Sequence, residues 1–240
     1  MSEWFRQVTG PRRAAARLVC FPHAGGTAAA FRGWGAHVPP DVEVLAVRYP
    51  GRQDRIAEPC VDTMEPLVAA VTAALPTDLP LVLFGHSMGA SVAHEVTRAL
   101  PVPPVLLAVS GRRPPHLLRI RDVQGDSAII ADVKRLGEAN AEVLDHPELR
   151  DLILPAIRAD YHLVRTYEPG SLPPVAVPIV AHTAEDDPEA PVSDMRGWAE
   201  LTTAEFDLTV WSGGHFYLAA HEAELVSMLC ARLGELVSAE

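Results

Sequence analysis

Gly85-His86-Ser87-Met88-Gly89 is the segment whose residue types and spacing most directly offer chemistry. It is a Gly-x-Ser-x-Gly run between a bare apolar stretch, Leu81 to Phe84, and a helical-period stretch that begins at Met88. A serine on a sharp strand-to-helix turn exposes its hydroxyl, and glycines are needed where a Cβ would collide with neighbouring backbone. Such a serine attacks an acyl carbon only if a base takes its proton and a carboxylate orients the base. In chains carrying this turn, the acid and then the histidine follow the serine. The chain has ten histidines. His215 is the candidate base, because Trp211-Ser212-Gly213-Gly214-His215-Phe216 places it just after the last apolar strand. His221 is its rival but falls inside the expected final helix, and His86 is expected to pack or to hydrogen-bond the turn. The acid should follow the preceding strand, where Glu185-Asp186-Asp187-Pro188 lies. Asp187 is preferred because Pro188 restricts the residue before it to an extended conformation. Asp186 stays open as the alternative. A tetrahedral oxyanion needs two backbone N–H donors. Met88 offers one, and the small residues of Phe21-Pro22-His23-Ala24-Gly25-Gly26 offer the other, from Ala24 or alternatively from Gly25.

These residues need a sheet edge to hold them. Apolar runs at Arg17 to Phe21, Val42 to Tyr49, Leu81 to Phe84, Val105 to Val109, Val175 to Thr183 and Phe206 to Trp211 read as strands. Continuous rather than alternating apolar strands imply a sheet covered on both faces. Between them, Phe31 to Val38, Asp62 to Leu75, Met88 to Leu100 and Tyr217 to about Val237 read as helices. Strand–helix alternation implies parallel strands with right-handed crossovers, hence an α/β fold with a mostly parallel central sheet. The stretch from Arg112 to about residue 170 breaks the rhythm. Its apolar residues, from Val133 through Leu163, keep helical spacing with no good strand. It is read as a helical insertion over one edge of the sheet, because a single crossover seldom needs so many residues.

Composition bounds the rest. A chain of 240 residues buries about 70% of its surface, enough for one core and marginal for two, so residues 1–240 are expected to form a single domain. Apolar residues at 48% and charged residues at 21% exclude wholesale disorder. Twenty basic against thirty-one acidic residues leave a net charge of −11, without the basic surplus that nucleic-acid binding requires. No apolar run approaches the ~18 residues of a membrane span, and Met1-Ser2-Glu3-Trp4 lacks the basic start of a secretory signal. Cys20, Cys60 and Cys230 are far apart and odd in number, which excludes a disulfide scaffold or zinc ribbon and suits a reducing cytoplasm.

Taken in order, Phe21-Pro22-His23-Ala24-Gly25-Gly26, Arg48-Tyr49-Pro50-Gly51-Arg52, the Ser87 segment, Ser110-Gly111-Arg112-Arg113-Pro114-Pro115 and Gly213-Gly214-His215-Phe216 closely resemble type II thioesterases. These are discrete α/β-hydrolases that accompany modular polyketide synthases and nonribosomal peptide synthetases. The resemblance spans nearly the whole chain. It implies a helical lid over the site and hydrolysis of acyl groups from the phosphopantetheine arm of acyl or peptidyl carrier proteins. It implies no metal or redox cofactor, since the pantetheine belongs to the carrier. A monomer is expected. Where the family usually has a glycine before the acid, this chain has His182-Thr183-Ala184-Glu185, with added residues between Asp187 and Val192. A carrier is usually acidic, as this chain is, so docking must use a locally basic or apolar surface. Arg112, Arg113, Arg119 and Arg121 are the candidates. The serine, base and acid suit a carboxylesterase or an acyltransferase equally well, and only the family-specific segments argue against these. A non-catalytic carrier-binding protein of the same fold is a further alternative, opposed by the retention of Ser87, His215 and an adjacent acid.

Overall fold

Apolar and β-branched runs punctuated by Pro and Gly account for most of the sheet. The computed structural model describes residues 2–10, 13–119, 121–137, 141–170 and 173–238. Its elements are β1 (Phe5–Thr9), β2 (Ala16–Phe21), β3 (Val42–Val47), α1 (Met64–Ala74), β4 (Leu81–His86), α2 (Met88–Ala99) and β5 (Leu106–Ser110). There follow α3 (Asp126–Leu136), α4 (Pro147–Thr166), β6 (Ile179–Ala184), α5 (Val192–Met195), β7 (Phe206–Trp211) and α6 (Glu222–Ser238). The strands make one seven-stranded sheet in the order β1-β3-β2-β4-β5-β6-β7. β1 runs antiparallel to β3, and the other neighbours are parallel. The α/β reading therefore holds.

Strand periodicity sorts the core into two layers. Val19, Phe21, Val47 and Leu83 face the layer that holds Leu67 and Val71 of α1 and Val92 and Val96 of α2. Leu18, Cys20, Val44 and Phe84 face Phe31, Trp34 and the α6 residues Leu225, Val226 and Leu229. Both sheet faces are thus covered, as continuous apolar strands require. Among the described residues, no helix is long and apolar enough to cross a membrane.

Four elements differ from expectation. β1 was not anticipated: it is short, only Phe5 is fully buried, and its exposed polar residues mask the pattern of an edge strand. The expected helix from Phe31 to Val38 is two 3₁₀ turns, Ala28–Phe31 and Trp34–Ala36. Gly33 and Gly35 make a longer helix costly there. The strand expected from Val175 to Thr183 starts only at Ile179, since Pro178 has no N–H for the ladder and Val175 makes an isolated bridge to Thr202. The last helix begins at Glu222 after a 3₁₀ turn at Tyr217–Ala219, so His221 lies just outside it.

The segment between β5 and β6 is helical, as its periodicity implies. α3 and α4 close on a small apolar cluster of their own, with Ile129, Val133, Leu144, Leu154 and Ile157. Within that segment Ile120 and residues 138–140 lie outside the described ones.

Candidate active site

A single residue separates β4 from α2, and it is Ser87. Its backbone sits at φ 54°, ψ −120°, a conformation that costs an L-residue roughly 1–3 kcal/mol. Backbone hydrogen bonds hold the turn: Ser87 N–H donates to Ser110 O at 2.8 Å, and Ala90 N–H donates to Ser87 O at 3.0 Å. The flanking glycines are enforced by contact. A Cβ on Gly85 would lie 2.1 Å from Gly89 O, and one on Gly89 would lie 2.0 Å from Phe21 O. The chain can turn this tightly only without those side chains.

The loops after β6 and β7 bring Asp187 and His215 to Ser87. His215 Nε2 lies 3.1 Å from Ser87 Oγ, and His215 Nδ1 lies 2.9 Å and 3.0 Å from the two Asp187 carboxylate oxygens. His215 and Asp187 are both buried. Asp187 Oδ1 also accepts the N–H groups of Glu189 and Ala190, at 2.8 and 3.3 Å. The two loops are stitched together by Asp186 N–H to Gly213 O at 3.0 Å and Glu185 N–H to Trp211 O at 2.9 Å. Asp186 itself is exposed. His221 Nε2 is engaged with Ser212, 3.2 Å from its hydroxyl, rather than with Ser87.

His86 packs beneath this group. Its Nδ1 is 2.9 Å from Ser110 Oγ, which is in turn 2.6 Å from Tyr217 OH. Burial, and then the neighbouring His215 and His23, push His86 well below the usual histidine range, so it is neutral at pH 7. Gly111, at φ 59°, sits where a Cβ would press 2.7 Å from the His86 ring and 3.3 Å from Asp187 Oδ2. Reading the sequence for chemistry missed this second glycine constraint.

The loop after β2 is pinned by an ion pair that sequence reasoning also missed. Arg52 and Asp160 form a buried bidentate pair at 2.6 and 2.8 Å. Asp160 Oδ2 also accepts Gly25 N–H at 2.7 Å, while Arg52 donates to Gly26 O at 3.2 Å and lies over the Tyr49 ring. Gly25 N–H is thereby occupied. Ala24 N–H meets no acceptor among the described residues, and Met88 N–H, first in α2, has none within its helix.

A serine at a strand–helix elbow, in contact with a histidine that itself meets a buried carboxylate, is an arrangement suited to acyl-transfer chemistry. A thioesterase-domain family model matches residues 16–233. The chain belongs to the thioesterase family. It is 42% identical over 224 residues to Thioesterase PikA5 of Streptomyces venezuelae, covering 90% of this chain and 80% of that one. It is 30% identical over 242 residues to the gramicidin S biosynthesis protein GrsT of Aneurinibacillus migulanus, covering 97% and 94%. Among solved structures it resembles the type II thioesterase BorB from the borrelidin biosynthetic cluster, with a TM-score of 0.87 and 34% identity over 96% of this chain and 97% of that one. The RedJ thioesterase of the prodiginine pathway in Streptomyces coelicolor gives a TM-score of 0.86 at 36% identity, covering 94% of each. The fold is thus that of the α/β-hydrolase thioesterases.

In this thioesterase a cavity of about 90 Å³ opens beside Ser87 and His215. Its wall is mixed rather than apolar: Leu118, Val133 and Val164 share it with Arg112, Arg121 and Arg165. The four arginines expected to form one docking patch are divided. Arg113 is buried on Asp194 at 2.8 Å, whereas Arg112, Arg119 and Arg121 line the cavity, Arg119 being the most exposed of the four. Asp194 draws Arg113 inward, because a buried guanidinium needs a carboxylate partner.

Proposed function

We propose that this thioesterase hydrolyses acyl groups from the phosphopantetheine thiol of acyl or peptidyl carrier proteins. In doing so it would remove stalled or aberrant units in polyketide or nonribosomal peptide biosynthesis. The observation that carries the reading is the contact chain Ser87–His215–Asp187, with 3.1 Å and 2.9 Å links, at a strained elbow of a thioesterase-family chain. The similar proteins of the borrelidin cluster, the prodiginine pathway and gramicidin S biosynthesis support that substrate class.

His215 takes the Ser87 proton as Oγ bonds to the thioester carbonyl carbon. The N–H groups of Met88 and Ala24 hold the oxyanion. The C–S bond then breaks, and protonated His215 gives its proton to the departing thiolate. Water, deprotonated by the same His215, attacks the acyl-serine, and Ser87 recovers the proton as it leaves. Asp187 keeps Nδ1 protonated and steadies the imidazolium, while its own bonds to the Glu189 and Ala190 N–H groups fix it in place. The chemistry calls on side chains and backbone alone. In this reading residues 1–240 act as one domain in the cytoplasm, as a monomer, and residues 112–170 form a lid over Ser87.

The test is release of an acyl group from an acylated carrier protein, followed by intact mass, beside hydrolysis of the oxygen ester of the same acyl group. Wild type should unload the carrier, and Ser87→Ala should lose at least about 10⁴-fold in rate. A wild-type protein that cleaves the oxygen ester but leaves the carrier loaded would refute the substrate assignment.

A further inference from the structure

The cavity wall is more cationic than the molecule around it. The whole chain carries −11, yet the cavity is lined by Arg112, Arg119, Arg121 and Arg165 against two carboxylates, Asp132 and Glu189. Those carboxylates are already committed. Arg121 reaches Asp132 at 2.5 Å and Glu189 at 3.2 Å, and Arg135 reaches the same two at 2.9 and 2.5 Å. Arg119, its side chain 75% exposed, approaches Asp194 at 3.9 Å.

Arg112 and Arg165 have no carboxylate within ion-pair distance among the described residues. Arg112 Nε donates to Ser91 Oγ at 3.0 Å, and Arg165 Nη2 contacts His162 Nδ1 at 3.1 Å. Ser91 lies one helical turn beyond Ser87 on α2, so Arg112 is anchored close to the nucleophile. Burial lowers Arg112 to about 10, with Glu189 opposing the shift, and it remains charged at neutral pH. Both side chains are half-buried; a guanidinium drawn partly out of water without an ion-pair partner favours an incoming anion, and its planar fork matches a carboxylate or a phosphate.

We infer that Arg112 and Arg165 form an anion subsite that binds an anionic oxygen group of the thioester substrate beside Ser87. The inference rests on the reading of Ser87 as the nucleophile. Two parts of such a substrate carry this chemistry: the phosphate of the pantetheine arm, and a terminal carboxylate on the acyl chain. Either would supply an ion-pair partner to Arg112 and Arg165.

Calorimetric titration of the Ser87→Ala protein with acetyl-pantetheine, acetyl-4′-phosphopantetheine and malonyl-pantetheine tests the subsite without turnover. One anionic thioester should bind about tenfold tighter than acetyl-pantetheine, and Arg165→Met or Arg112→Met should remove most of that advantage. An advantage of the phosphorylated compound assigns the phosphate, and one of the malonyl compound assigns the carboxylate. Arg112→Lys, which keeps the charge but not the fork, should retain part of it. If Arg112→Met does not fold, Arg165→Met decides alone. Equal affinity for all three thioesters, or an advantage that survives the arginine substitutions, overturns the subsite. Free thiol released during the titration is read separately, since it contradicts Ser87 as the nucleophile and leaves the affinity ratios intact.

Discussion

The elbow around Ser87 and the helical segment between β5 and β6 are held by different forces. At the elbow, backbone meets backbone: the Cβ positions of Gly85 and Gly89 point into carbonyl oxygens about 2 Å away, and flanking strands are buried on both faces. In the helical segment the apolar cluster is small, and long-range charge pairs complete the packing. Arg52 holds Asp160 across 108 residues, and Glu189 collects Arg121 and Arg135. The first region is fixed by shape and tolerates no added methyl. The second is fixed by charge and should respond to isosteric changes that leave shape alone.

The largest effect is expected where the two loops meet the elbow. Asp187→Asn keeps the shape and removes the charge, and should lower kcat by about 10⁴-fold. Asp186→Asn, at an exposed side chain, should stay within about twofold of wild type. Single-turnover acyl release measures both, and a larger loss at Asp186 would exchange their roles. Next is Asp160→Asn, which leaves Arg52 buried without a counter-charge. It should cost about 3–5 kcal/mol in urea unfolding and lower kcat through the displaced Gly25-Gly26 turn. A loss below ~1 kcal/mol would mean that charge does not hold this region.

The smallest effect separates the sheet from its coverings by pH. His182 is buried on β6 and pushed down to about 4 by desolvation. It is neutral in the fold, whereas the unfolded chain takes up the proton near 6.5. Its contribution is therefore complete above pH 6.5 and lost as pH falls towards 4, by up to about 1.4 kcal/mol per pH unit. Urea denaturation of wild type and His182→Asn between pH 7 and 4.5 should give a shallower pH dependence for the variant. Parallel curves would contradict a neutral buried His182.

What could be read from the sequence follows the same division. The elbow is local: strand, Gly-x-Ser-x-Gly and helix are contiguous, so five residues suffice to locate Ser87. His215 follows from its place after the last apolar strand. Choosing between Asp186 and Asp187 rested only on Pro188, because adjacent carboxylates differ in which way the loop turns them. The structure turns Asp187 inward through the Glu189 and Ala190 N–H groups. Arg52 with Asp160 could not be foreseen, since nothing in either local pattern names a partner 108 residues away. The arginines after β5 read as one surface patch because sequence gives charge but not direction; Asp194 and the cavity divide them. β1 escaped notice because an edge strand with one buried side chain carries little periodicity.

The claim that Ser87 is the nucleophile of a thioester hydrolase is tested most directly by trapping the acyl-enzyme. Wild type is mixed with an acylated carrier protein, quenched in acid within the first turnover, and mapped by peptide mass. An acyl adduct should appear on Ser87 and vanish in Ser87→Ala, with free carrier thiol released in step. Carrier unloading with no adduct on Ser87, or with the adduct on another residue such as Cys60, would contradict it.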